Sequence, residues 1–246
     1  MLIASPRKVG LPNEIEYRAY LERLDYMQAE PNCCRPRRPQ NDLKVPNDQI
    51  KEQTTSLESL VEEVRACRMC VERLPHQPRP VLQISSTARI LIASQAPGAK
   101  VHSSGIPFAD DSGKRLREWT GLSESEFYDP TEIAILPMGL CYPGRSTGGD
   151  APPRPECAPL WRPRLLAQMP SIELTLLVGS YAMNHVLGPG KVADRVRAYL
   201  DYFPTYFPLP HPSWRSRIWT TKNPWFESTV LPALRNIIAD VLERPK

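Results

Sequence analysis

The chain has 246 residues, with 31 Lys and Arg against 27 Asp and Glu, a net charge of +4, and 41% hydrophobic residues. That is enough for one large α/β domain or two small ones, with part of the chain carrying no core. The charge permits a nucleic-acid groove without requiring one, and no apolar run approaches the roughly 20 residues that span a bilayer.

Residues 1–54 include "PNCCRPRRPQNDLKVPNDQ", rich in proline, arginine and amides. They are expected to form a mobile, largely disordered extension, with room for a short helix near "EIEYRAYLERLDYM". The start, "MLIASPRKVG", lacks the long apolar region of a secretory signal, so a cytoplasmic location is expected.

The globular domain is expected over residues 55–246. Ser56 can cap a first helix whose Leu57, Leu60, Val61 and Val64 form an apolar stripe at helical spacing. Four short apolar runs follow: "RILIAS" (89–94), "IAILPM" (133–138), "LTLLVG" (174–179) and "TYFPLP" (205–210). Helical segments are predicted between and after them at 112–120, 158–168, 180–187, 192–200 and 226–242. Apolar strands alternating with helices predict a parallel sheet covered on both faces. Ligands in such sheets bind at the loops beyond the carboxyl ends of the strands. Three of the runs end there in distinctive sequence: "SQAPG", "VGSYA" and "LPHPS".

Six cysteines in a cytosolic chain point to metal ligands or free thiols rather than disulfides. Cys33 and Cys34 are most simply exposed thiols. Cys67 and Cys70 form a CxxC, and Cys141 and Cys157 lie in the loops "GLCYPG" and "PECAPL". Four such thiolates could hold zinc or a 4Fe–4S cluster, with buried free thiols as the remaining alternative.

In "PLPHPSWRSR" (208–217) His211 sits between two prolines, on a stiff non-helical loop, with Trp214, Arg215 and Arg217 just after it. Alone, this stretch would pass for a packed strand end.

The order "SQAPG" (94–98), "GIPFADDSG" (105–113), "LVGSYA" (177–182) and "HPSWR" (211–215) resembles the uracil-DNA glycosylase superfamily. The likeness runs from about residue 60 to 242, and the cysteine pattern is similar to that of the iron–sulfur branches, families 4 and 5. The resemblance implies a three-layer α/β/α sandwich around a four-stranded parallel sheet, with a 4Fe–4S cluster on Cys67, Cys70, Cys141 and Cys157 and zinc as the second candidate. It implies a monofunctional enzyme, acting as a monomer, that flips uracil and other deaminated bases from DNA and hydrolyses the N-glycosidic bond. His211 would donate a hydrogen bond to uracil O2 as negative charge builds on the leaving base. Phe108 would stack on the base, with Ala96 and Pro97 forming the tight turn around it and Gly98, Gly105 and Gly113 giving close backbone approach. Trp214 would fill the vacated stack, and Ser180, Ser213, Arg215 and Arg217 would hold the DNA.

Two departures from the family pattern matter. Family 4 carries glutamate where this chain has Gln95, an amide that can position a water but cannot act as a base. Asp111, with Asp110 second, is therefore the expected water-orienting carboxylate. The asparagine that reads uracil is replaced by Pro137 or Met138, so base reading would fall to backbone groups of Gln95, Phe108 or Gly139, or to a different side chain. Losing a bidentate contact costs about 1–3 kcal/mol of discrimination. The altered motifs keep open a non-catalytic DNA-binding iron–sulfur module on the same fold. A small-molecule α/β hydrolase with structural zinc ranks lower, because no GxSxG or HExxH is present.

Overall fold

Ser56 begins the first helix, α1 (Leu57–Arg65), by accepting the Ser59 N–H at 3.2 Å, and Leu60 and Val64 turn inward from it. The computed structural model describes residues 56–244, which fall within the unit Thr55–Lys246. The extension expected for residues 1–54 lies outside the described residues.

After α1 the chain enters strand β1 (Ile90–Ala93), then helices α2 (Ala99–Ser104), α3 (Asp111–Thr120) and α4 (Glu124–Phe127). The guanidinium of Arg79 caps the far end of α2, donating to the carbonyls of His102 and Ser103 at 2.6 Å. Strand β2 (Ile133–Ile135) is followed by a two-stranded hairpin, β3 (Arg145–Ser146) and β4 (Gly149–Asp150), and by helix α5 (Cys157–Ala167). Strand β5 (Leu174–Val178), helices α6 (Ser180–Leu187) and α7 (Val192–Arg197), and strand β6 (Tyr206–Leu209) come next. Helices α8 (Ser216–Lys222) and α9 (Leu231–Glu243) close the domain.

The main sheet has the order β2-β1-β5-β6. All three pairings are parallel, with Ile90 opposite Ile133, Ile92 opposite Leu176, and Leu176 opposite Phe207. Every residue of β1, β2 and β5 is buried, as a sheet covered on both faces requires. This is the three-layer α/β/α architecture expected from the sequence. Strand β6 is an edge strand, which is why Pro208 is tolerated inside it. The opposite edge is covered at one point, where Gln83 and Ile135 exchange backbone hydrogen bonds at 3.0 and 2.6 Å. On one side of the sheet Leu60 and Val64 pack with Leu91, Leu136, Trp161 and Leu165.

The expected helix over 226–242 is interrupted. A wide π-type turn occupies Phe226–Val230 before α9 takes over. Pro232 lies in the first turn of α9 and has no N–H to extend an α-helix backward. Among the described residues no helix is long and apolar enough to cross a membrane.

Candidate active site

The chain runs from β1 to β2 on one side of the sheet, then crosses to β5 on the other, so the strand order reverses between β1 and β5. A crevice opens at such a reversal, beyond the carboxyl ends of the strands. The loop after β1 is fixed there by two backbone bonds: Met138 donates to Ser94 and Gly139 to Gln95, each at 2.8 Å. Residues Gln95 to Gly98 thus form one wall of a small recess that also contains Phe108, Asp110, Pro137 and His211.

The opposite wall depends on a strained residue. Phe108 has φ 55°, the left-handed region that non-glycine residues avoid at a cost of about 1–3 kcal/mol. Helix α3 presses against it so closely that a Cβ on Gly113 would stand 1.7 Å from the Phe108 carbonyl oxygen. Only glycine fits there. Asp110 caps the same helix, accepting the Gly113 N–H at 3.0 Å, so its carboxylate and the Phe108 ring are set by one local structure.

His211 comes from the loop after β6. Gly179, with φ +87°, lets the imidazole close in: a Cβ at that position would lie 3.2 Å from the His211 Cβ. The ring sits deep among neighbouring atoms with one edge open to the recess. Burial pushes its pKa down, against a smaller upward pull from Asp110, so near neutral pH it is an uncharged imidazole. The following loop is tied down from α3, where Arg115 donates to the Ser213 carbonyl and, at 3.1 Å, to the Ser216 hydroxyl. Trp214 stands 69% exposed, which rules out core packing for this ring. The Arg215 guanidinium lies 5.2 Å from its ring centroid and donates to the Gly148 carbonyl of the hairpin. Ser180, Arg215 and Arg217 are exposed and Ser213 half-buried.

Several sequence expectations meet in this recess and others do not. Gln95, Ala96, Pro97, Gly98, Phe108, Asp110 and His211 line it together. Asp111 does not: its side chain is 95% exposed and paired with Lys100 at 3.3 Å. The two aspartates part at the helix start: Asp110 is the extended cap residue lining the recess and Asp111 is the first helical residue. Gly139 lines a different cavity, and its N–H is already given to Gln95. Sequence reasoning missed Asp150, which also lines the recess. Its only local signal is the "TGGD" of a tight hairpin.

The second cavity is bounded by Cys67, Cys70, Cys141 and Cys157, with Met69, Leu160 and Trp161 among its apolar walls. Burial pushes the Cys141 thiol up to about 12 and Cys157 up to about 11, and Cys70 is raised as well. Backbone N–H groups favour the sulfur anions: Leu140 donates to Cys157 Sγ at 3.3 Å and Arg79 donates to Cys141. A bound cation is what would release such thiols as thiolates. Among the described residues no group of three or more His, Cys, Asp or Glu stands at the spacing that would hold a metal ion.

The chain is thus an α/β/α protein whose switch-point recess brings an aromatic ring, an imidazole and an inward carboxylate together. Residues 82–235 match the family model described as the Uracil DNA glycosylase superfamily. The chain belongs to that superfamily, which acts on DNA.

Gly113→Ala is expected to destabilise the domain by about 3 kcal/mol, the upper part of the usual overpacking range. At this size that lowers the melting temperature by about 6–12 °C. An unchanged melting temperature would mean that the Phe108 carbonyl can move aside.

Proposed function

We propose that this protein is a monofunctional uracil-DNA glycosylase that flips uracil from DNA and hydrolyses its N-glycosidic bond, leaving an abasic site. The observation that carries the reading is the meeting of His211, Phe108 and Asp110 in one recess, with exposed Trp214 three residues beyond the imidazole. A flipped uracil stacks on Phe108. Asp110 and Gln95 hold a water against C1′ of the sugar. The water oxygen attacks C1′ and its proton passes to Asp110, while the C1′–N1 bond breaks and its electron pair leaves on the base. His211 donates its N–H to uracil O2, where the negative charge gathers, and the base then takes a proton from solvent. An uncharged imidazole suits this task because it needs no counter-ion in the buried site.

Trp214 props open the vacated stack, and Arg215, Arg217, Ser180 and Ser213 hold the phosphates on either side. Without an asparagine after β2, at Pro137 or Met138, uracil is read by backbone groups of Gln95 and Phe108, which admits other deaminated bases. The protein works as a monomer.

The four cysteines line one cavity and would supply the four thiolates that hold a 4Fe–4S cluster, with zinc as the second candidate. Cys67 and Cys70 would be joined through it to Cys141 and Cys157, and its contribution is structural. Cys141→Ala is expected to lose iron and sulfide and to melt at lower temperature; full metal content with wild-type stability would exclude the four-cysteine set.

Single-turnover excision from uracil-containing oligonucleotides tests the reading. His211→Ala should slow it by about 10²–10³-fold, the effect of losing one oxyanion donor, with little change in DNA affinity, which phosphate contacts dominate. Trp214→Ala should slow excision from duplexes more than from single strands. A folded His211→Ala variant that cuts at the wild-type rate contradicts the assignment. If the wild type binds such DNA tightly yet releases no base, the non-catalytic module stands instead.

A further inference from the structure

Asp150 sits at the end of the hairpin, in the segment that runs between Cys141 and Cys157, and it lines the recess together with Asp110 and His211. Gly98 marks where the two carboxylates meet. A Cβ placed there would have Asp150 Oδ2 at 3.3 Å and Asp110 Oδ2 at 3.7 Å. Both oxygens therefore approach the same point, one from the cap of α3 and the other from the hairpin.

Neither carboxylate arrives there by accident of a loose loop. Asp110 is held by the Gly113 N–H. Asp150 is hydrogen-bonded to Tyr142, a buried ring stacked 5.7 Å from His76. The hairpin is closed by Ala151 donating to Gly144 at 2.8 Å and is held from outside by Arg215. Asp150 thus stands on a segment that, like α3, touches both the loop carrying Trp214 and the loop carrying Gly98.

A water molecule has two O–H donors and needs one lone pair free to attack carbon. Two acceptors on either side of it leave that lone pair pointing outward. We propose that Asp150 is the second water-holding carboxylate of the site, pairing with Asp110 so that the attacking water gives one hydrogen bond to each. This rests on the glycosylase reading and deepens it. The bonds formed and broken are those given above, with Asp110 taking the proton. Asp150 fixes the water and, as an anion, faces the positive charge that develops on the sugar. The charged and titratable groups around Asp150 are Asp110 across the recess, Tyr142 and Arg145 beside it, His211 on the far wall and Arg215 on the hairpin turn. Partial burial and the like charge of Asp110 raise its pKa above the ordinary 3.8, with Tyr142 and Arg145 opposing.

The sign of the pH effect follows. The wild-type rate depends on both carboxylates being ionised, so it begins to fall, as pH drops, at the raised Asp150 value. Asp150→Asn removes that upper inflection, so the acid limb should move to lower pH, with a modest rate loss because the amide oxygen still accepts from water. Asp150→Ala loses the acceptor too and should slow excision by about 10²-fold, the effect of a misplaced reactant. A merely structural role would lower the rate at every pH and leave the limb in place, and that result would overturn the proposal. So would a wild-type rate and limb in both variants. A second measurement needs no activity: the Asp150 carboxyl, followed by 13C NMR, should titrate at lower pH in Asp110→Asn, in which asparagine still caps α3. If the wild type released no base, the glycosylase reading would fail by itself. An Asp150 titration unmoved by Asp110→Asn would sink the pair in either case.

Discussion

The contact between Gly113 and the Phe108 carbonyl holds the site together. Phe108 occupies a backbone region it would not choose, and helix α3 packs onto it with no room for a Cβ. From that one seat the helix sends out three things. Its cap, Asp110, faces the recess; its first turn fixes the Phe108 ring; and Arg115, further along, reaches the Ser213 carbonyl in the loop after His211. Two of the loops at the switch point are therefore positioned by the same helix. Strain at Phe108 is tolerated because its neighbours leave no other arrangement.

A second coupling joins the recess to the thiol cavity. The segment from Cys141 to Cys157 lines the cavity at both ends and carries the hairpin with Asp150 between them. Arg215 then ties the hairpin turn to the loop of exposed Trp214. In the proposed enzyme this gives the cysteines a task beyond stability. Holding the two ends of the segment fixes where the hairpin can stand, and with it the distance between Asp150 and Asp110.

Much of the fold was legible because its strands are apolar on both faces and α1, α3 and α9 are amphipathic; β1, β2, β5 and β6 all lie within the runs read from the sequence. What escaped notice was held by distant contacts. Helix α2 has no side-chain N-cap and is closed at its other end by Arg79 from an earlier loop. Helix α8 begins inside a stretch read as loop. The strands of the hairpin are two residues each, too short for any periodicity. At the site, motif order brought Gln95, Phe108, Asp110 and His211 into view. It could not decide between Asp110 and Asp111, because one residue at a helix start turns a side chain by about 100°. For Asp150 the "TGGD" turn signalled a hairpin but not its place at the site, which depends on a fold-back that only tertiary packing sets.

The most direct measurement is a crystal structure with duplex DNA carrying a non-hydrolysable deoxyuridine analogue. The expected result is a flipped base on the Phe108 ring, its O2 at His211, and C1′ facing the space between Asp110 and Asp150, with Trp214 in the gap it left. A duplex that stays fully stacked, or that lies on another face with the recess empty, would contradict the central claim.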